Sequence, residues 1–244
     1  MLLCIDCGNT RLKWGLHDGR RWLAQGMTAL NEIDQLPRLL AGQPCPTRAF
    51  ACNVASETTG AAIEMAAIKL GLELVWAESC AAQCGVKNGY DNPAQLGADR
   101  WMALIGARHL HHGACLSVNA GTATTVDLLD AEGVFQGGLI LPGVNLMQVA
   151  LARDTARLPL ATGRFSRLPR NTADAIVSGA LLATAGAITR MFEQLAPNPD
   201  AICLLSGGAA GLLEPLLNMP LRRVDNLVLE GLSCFAMQTA LGHG

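Results

Sequence analysis

The sequence predicts an α/β protein made of two similar halves with a cleft between them. Short apolar runs that read as buried strands alternate with segments of helical apolar spacing. The order β-β-β-α-β-α-β-α can be traced twice along the 244 residues. Each tracing opens with a strand that runs into a small-residue turn, Asp6-Cys7-Gly8-Asn9-Thr10 and Asn119-Ala120-Gly121-Thr122-Ala123-Thr124. The halves are expected at 1–112 and 113–244, divided near His112-Gly113.

In the first half, Leu2–Cys7 reads as a buried strand ending at a Gly-Asn turn. Arg11–His17 and Arg20–Met27 flank Asp18-Gly19, a hairpin signal. A helix is expected over Asn31–Leu40, a strand over Thr47–Cys52, a helix over Glu57–Leu70 and a strand over Leu72–Trp76. A polar loop runs from Ala77 to Asn92, and Pro93 can open a helix that reaches about His111. The second half repeats the order. Strands are expected at Ala114–Asn119, Thr124–Leu129 and Val134–Ile140, with a helix after Pro142-Gly143. A long helix fits Ala173–Leu195 behind a cap at Asn171 or Thr172. Strands at Ile202–Leu205 and Leu221–Val224, a short helix to Leu217 and a helix at Leu227–Leu241 close the chain.

Composition narrows the function. Half of the residues are hydrophobic and 16% are charged, which excludes a disordered chain. Lys plus Arg is 18 and Asp plus Glu is 20, so the net charge of −2 argues against a sequence-independent nucleic-acid binder. Nine cysteines, an odd number, with no basic segment ahead of the first apolar run, argue against a disulfide framework. No uncharged apolar run reaches the length of a membrane span. A reduced, cytoplasmic setting is expected.

Neither G-x-x-x-x-G-K-[ST] nor G-x-G-x-x-G is present, and lysine occurs only at Lys13, Lys69 and Lys87. A nucleotide site must therefore use backbone amides and hydroxyls. The two turns suit that task. Gly8 and Gly121 allow close approach of a phosphate, and Asn9, Thr10, Thr122, Thr124 and Thr125 offer neutral donors. Asp6 suits a metal–water cluster. A pair of such turns resembles the actin-like ATPase and sugar-kinase superfamily, in which two hairpins grip the phosphates. The run Leu204-Leu205-Ser206-Gly207-Gly208-Ala209 is similar to the place where that superfamily holds adenosine. Asp99 and Arg100, early in a predicted helix, suit a general base beside an anion clamp; a first-turn acid with an exposed partner is the plainer reading.

Six segments in order sharpen the resemblance. They are Asp6-Cys7-Gly8-Asn9-Thr10, Gly89-Tyr90-x-Asn92-Pro93-x-x-Leu96-Gly97-x-Asp99-Arg100, Ala120-Gly121-Thr122-Ala123-Thr124-Thr125, Gly137-Gly138-x-Ile140-x-Pro142-Gly143, Asn171-Thr172-x-x-Ala175-Ile176-x-Ser178-Gly179 and Leu229-Glu230-Gly231-Leu232. Together they resemble the type III pantothenate kinase family. The resemblance implies a duplicated actin-like ATPase (ribonuclease H-like) fold and ATP-dependent phosphorylation of the terminal hydroxyl of pantothenate. It implies Asp99 as proton acceptor, with Asp6, Cys7, Gly8, Asn9, Thr10, Arg11, Leu12, Lys13 and Thr122 at ATP. It also implies Tyr90, Gly97, Ala98, Asp99, Arg100 and Thr172 at pantothenate, Thr172 across a homodimer interface. Mg2+ is expected with ATP. The family's ligand for a monovalent cation (K+ or NH4+) is an Asp where this sequence has Asn119; a neutral side chain weakens such a site, so strong potassium binding is not expected.

Other readings are weaker. Cys4-x-x-Cys7 has zinc-like spacing, but on a strand the two side chains face opposite ways. His109, His111 and His112 fit a helix C-terminus. The arginines at 153, 157, 164, 167 and 170 read as a solvated or interface segment, and Met147 and Met191 as core or interface. A kinase of another small hydroxylated acceptor, or a non-enzymatic regulator on the same fold, are the alternatives.

Overall fold

The computed structural model describes residues 1–155, 162–196 and 198–241; Arg157 lies outside them. In chain order the elements are β1 (Leu2–Cys7), β2 (Arg11–His17), β3 (Trp22–Ala29), α1 (Leu36–Leu39), β4 (Arg48–Asn53), α2 (Glu57–Lys69), β5 (Glu73–Trp76), β6 (Ala82–Gln83), β7 (Val86–Lys87) and α3 (Ala98–Leu110). They continue with β8 (Cys115–Ala120), β9 (Ala123–Leu129), β10 (Phe135–Pro142), α4 (Val144–Asp154), α5 (Thr172–Phe192), β11 (Ile202–Ser206), α6 (Ala210–Leu213), β12 (Leu221–Arg223) and α7 (Leu227–Leu241).

Two compact units result: Met1–His111 together with the chain from Leu227 on, and His112–Asn226. Each holds one five-stranded sheet of the same topology, β3-β2-β1-β4-β5 and β10-β9-β8-β11-β12. In both, the first three strands pair antiparallel and the other two pairings are parallel. The duplication is therefore one of topology.

The last helix departs from the expected division. The sequence order puts α7 in the second half, yet it packs on α3, β1 and β4 of the first unit. Two glycines explain the contact. A side chain on Gly106 would strike the Leu227 carbonyl, and one on Gly231 would strike the Met102 backbone, so the two helix backbones meet directly. Glu230 adds a polar tie by accepting from Trp22 Nε1 at 2.8 Å. The first unit's core gathers Leu3, Ile5, Leu12, Trp14 and Leu16 from the hairpin with Ile33, Leu36, Ile63 and Ala66 from the helical layer. The second unit's core gathers Leu116, Val118 and Val126 with Ala180, Leu181, Ala185 and Ile188 of α5.

Two local expectations also change. The loop from Ala77 to Asn92 contains a small antiparallel hairpin, β6–β7. The helix expected from Pro93 is broken: Pro93–Gln95 is one 3-10 turn, Leu96 is extended and buried, and α3 starts at Ala98 behind Gly97. Burying Leu96 takes the backbone out of the helix before α3 begins. Helix α5 is long and apolar enough to cross a membrane by length and composition, but one of its faces, Ile176, Ala180, Leu181 and Ile188, is in the core of the second unit.

Candidate active site

In the first unit the site grows from the end of β1. Asp6 is the penultimate residue of that strand, opposite Lys13 in β2. It is 6% exposed, and its Oδ2 lies 3.9 Å from Lys13 Nζ. The Cys52 thiol of the neighbouring strand β4 points at Asp6 Oδ1, 3.9 Å away. Burial pushes the Cys52 pKa well up, and the charges of Asp6 and then Asp99 add to the rise. The Cys52 thiol thus touches one of the two carboxylates singled out in the sequence and feels the charge of the other.

Asp99 owes its pose to the break before α3. It is a first-turn residue of that helix, and its Oδ1 accepts the Arg100 backbone N–H at 2.8 Å. A Cβ on Gly97 would sit 2.7 Å from Asp99 Oδ1, so glycine leaves the space the carboxylate occupies. Burial raises the Asp99 pKa above 3.8; the Arg100 backbone bond and the Arg100 charge oppose the rise. A carboxylate with a raised pKa is a stronger base than an exposed one.

Arg100 is buried. Its Nη1 donates to the Tyr90 hydroxyl at 2.8 Å, and the guanidinium lies 5.6 Å from the Tyr90 ring centre. Asn88 organises the approach to Tyr90. Its Nδ2 reaches Ser79 Oγ, the Cys80 carbonyl and the Pro93 carbonyl at 3.1–3.3 Å, while its Oδ1 accepts the Tyr90 N–H at 3.0 Å. Nothing in the sequence singled out Asn88 or Cys52. An Asn before a Gly-Tyr turn is the only local signal for the first, and the second has none.

The turn after β1 is open. Gly8 N–H donates to the Arg11 carbonyl at 3.2 Å, and Asn9, Thr10 and Arg11 are exposed. Cys7 and Leu12 face the core, so at this turn they offer backbone only. Burial, and then Asp6, raise the Cys7 pKa to about 11, which makes it an inert filler at neutral pH. A cavity of about 410 Å³ opens beside Ala98, lined by Glu57, Glu64, Glu78 and Trp76. Three carboxylates make it a poor seat for an anion.

In the second unit the corresponding turn follows β8. Thr122 is exposed and its carbonyl accepts Gly143 N–H at 2.9 Å. A side chain on Gly143 would strike the carbonyls of Gly121 and Thr122. Gly207, at φ +98°, lies against the Ala120 backbone, and Ala209 N–H donates to the Ala120 carbonyl at 3.0 Å. The three segments Gly121-Thr122, Pro142-Gly143 and Ser206-Gly207-Gly208 thus meet at the end of β8. Thr124 and Thr125, the next strand residues, are both buried. Asn119 is half-buried, one strand position before this junction. Thr172 is exposed at the first turn of α5, where Asn171 is the cap and accepts Asp174 N–H at 2.9 Å.

Comparison with known proteins gives the family and the fold. Residues 2–194 match the model of the type III pantothenate kinase family. A type III pantothenate kinase of Aromatoleum aromaticum is 57% identical over 98% of this chain and 99% of its own. Two solved structures share the fold at low identity. A Campylobacter jejuni protein named as a Baf family transcriptional activator has a TM-score of 0.61 at 18% identity, over 98% and 99% of the chains. A Listeria monocytogenes protein named as an N-acetylmannosamine kinase has 0.53 at 11%, over 100% and 99%. The fold is thus the duplicated actin-like one, and the chain belongs to the type III pantothenate kinase family, kinases that phosphorylate pantothenate in coenzyme A biosynthesis.

Proposed function

We propose that Asp99 is the proton acceptor for the pantothenate hydroxyl, that Tyr90, Gly97, Ala98 and Arg100 form the pantothenate pocket, and that Asp6–Lys13 and Thr122 hold ATP. The observation that carries this reading is the pose of Asp99, folded onto Gly97 with a raised pKa and within electrostatic reach of the thiol that Asp6 also touches. An alkyl alcohol is far less acidic than a carboxylic acid. Asp99 therefore orients the hydroxyl and takes its proton late, as the bond to phosphorus forms. The Arg100 guanidinium, braced by the Tyr90 hydroxyl, answers the carboxylate of pantothenate.

Among the described residues no group of three or more His, Cys, Asp and Glu side chains is spaced to hold a metal. A magnesium ion bound with ATP would take most of its ligands from the phosphates, and Asp6 would hold one of its water ligands; the ion would supply charge neutralisation for the phosphates. At the position of Asn119 the carbonyl oxygen is neutral, so activation by K+ or NH4+ is weak. The exposed face of α5, with Thr172, Ala175, Gly179, Leu182 and Gly186, suits a homodimer contact through small residues, and Thr172 reaches substrate across it. The setting is cytoplasmic.

The test is an ADP-release assay with Mg-ATP and pantothenate on the wild type and on Asp99→Asn. Turnover is expected to fall about 10²-fold or more in the variant, with ATP binding retained. Near-normal turnover in Asp99→Asn removes the base assignment.

A further inference from the structure

The first unit carries a pair of thiols that phosphoryl transfer does not use. Cys84 lies at the tip of the β6–β7 hairpin with φ 51°, a left-handed conformation in a residue that is not glycine. Its N–H donates to Gln238 Oε1 at 3.1 Å, and its Sγ lies 2.8 Å from the same oxygen. Gln238 is one helical turn beyond Cys234, so the two share a face of α7. Gln238 thus seats the hairpin tip one helical turn from Cys234, and both cysteines are partly exposed. The neighbouring Cys84 thiol lowers the Cys234 pKa and Cys234 raises that of Cys84, which makes Cys234 the sulfur that ionises first. By contrast Cys4, Cys7, Cys52, Cys115 and Cys203 are buried.

We propose that Cys84 and Cys234 are a reversible redox pair: hydrogen peroxide oxidises them to a disulfide that locks the β6–β7 hairpin onto α7 and weakens pantothenate binding. The Cys234 thiolate attacks one peroxide oxygen. The O–O bond breaks, and the departing hydroxide takes a proton and leaves as water, with the other oxygen on sulfur as sulfenic acid. The Cys84 sulfur then attacks that sulfur, the S–O bond breaks, and the second hydroxide leaves as water with the Cys84 proton. The two thiols lose two electrons and two protons; the peroxide gains them and becomes two waters.

The coupling to substrate runs through the hairpin. Gln83 Oε1 accepts Trp101 Nε1 of α3 at 3.4 Å, and Asn88, just past β7, holds Tyr90. Bonded sulfurs lie about 2.05 Å apart, closer than any hydrogen-bond contact. Closing that gap draws the hairpin tip towards α7 and shifts the segment that positions Tyr90. This half of the inference rests on the assignment of Tyr90 and Arg100 to the pantothenate pocket; the disulfide itself does not.

The experiment treats the full chain with hydrogen peroxide, blocks remaining thiols and digests it with trypsin without reductant. Peptides 70–87 and 224–244 are expected as one linked species about 2 Da lighter than their sum, for the two hydrogens lost, with fragmentation placing the bond at Cys84. Dithiothreitol is expected to separate them. In the linked enzyme the KM for pantothenate rises several-fold with the KM for ATP unchanged, and Cys234→Ser shows neither change. No link, or a link through Cys80 or Cys45, overturns the pair. Tyr90→Phe separates the remaining failures. If it leaves the pantothenate KM unchanged, the pocket reading falls. If it raises that KM while the linked enzyme keeps a normal one, the lock falls.

Discussion

The two turns that open the two sheets occupy equivalent places in the same topology, yet they are built on different chemistry. The turn after β1 is backed by charge: Asp6 is buried beside Lys13 and Cys52, and Gly8 has no steric reason to be glycine, since a Cβ there would meet only the Arg11 carbonyl at 3.7 Å. The turn after β8 has the neutral Asn119 behind it, and the glycines packed around it, Gly143 and Gly207, are required by backbone contacts. Duplicated topology therefore fixes where a turn lies and leaves its chemistry free. One turn has a buried charge behind it, while the other is a close-packed backbone cradle.

The largest expected effect comes from making the first turn resemble the second. Asp6→Asn removes the charge and keeps the shape, and kcat/KM for ATP is expected to fall about 10²-fold. Thermal melting checks that the fold survives. An ATP dependence like that of the wild type means the charge at this turn has no part in phosphoryl transfer.

The converse test strikes the packing of the second turn. Gly207→Ala forces a Cβ into the Ala120 backbone at a positive φ, so a loss of about 2 kcal/mol is expected. For a chain of this size that is a drop in Tm of roughly 5 °C. Gly208→Ala is the control, because nothing lies within 4 Å of its Cβ position. Equal Tm values for the two variants refute the cradle.

Asp99 adds a pH signature to the first unit. Its pKa is raised by burial, so the acid limb of kcat/KM should have its midpoint above the ordinary carboxylate value of 3.8. Lowering pH through that midpoint protonates the base and turnover falls. Stability moves the other way: the folded state holds this proton more tightly than the unfolded state. The contribution is present at low pH and is lost as pH rises through the raised pKa. A limb at or below the ordinary value contradicts the buried pose.

Much of this contrast is legible in the sequence, because turns are local. Asp6-x-Gly8-Asn9 and Gly121-Thr122 signal strand ends by themselves, and the period of the apolar residues marks the strands behind them. What cannot be read depends on partners distant in the chain. Cys52 matters because β4 pairs with β1, and Asn88 matters because it gathers groups from both sides of a hairpin. Helical spacing announces α7 but not its partner; Gly106 and Gly231 decide that only once their backbones meet. The start of α3 escapes the sequence because Pro93 is a good first-turn residue, while the burial of Leu96 that interrupts the helix is a tertiary effect.

A smaller effect separates charge from shape at the second turn. Asn119→Asp restores an anionic oxygen beside the Thr122 turn, and a few-fold gain in activation by potassium over sodium is expected. The ADP-release rate at fixed ionic strength measures it. An unchanged ratio shows that the side chain at this position does not face a cation.

The smallest expected change in stability is also the sharpest test of the comparison. At Gly8 the backbone is not in the left-handed region, and the nearest atom to an added methyl group would be at ordinary contact distance. Gly8→Ala should therefore leave stability within about 0.5 kcal/mol of the wild type. The fold thus gives no reason for glycine there. If phosphate approaches this turn closely, the added methyl displaces it, and the KM for ATP rises several-fold with Tm unchanged. At the second turn the same substitution, Gly143→Ala, lowers Tm and ATP affinity together, because there the glycine serves the packing first. A Gly8→Ala enzyme with normal ATP kinetics makes the first turn a charge-bearing corner that ATP does not touch.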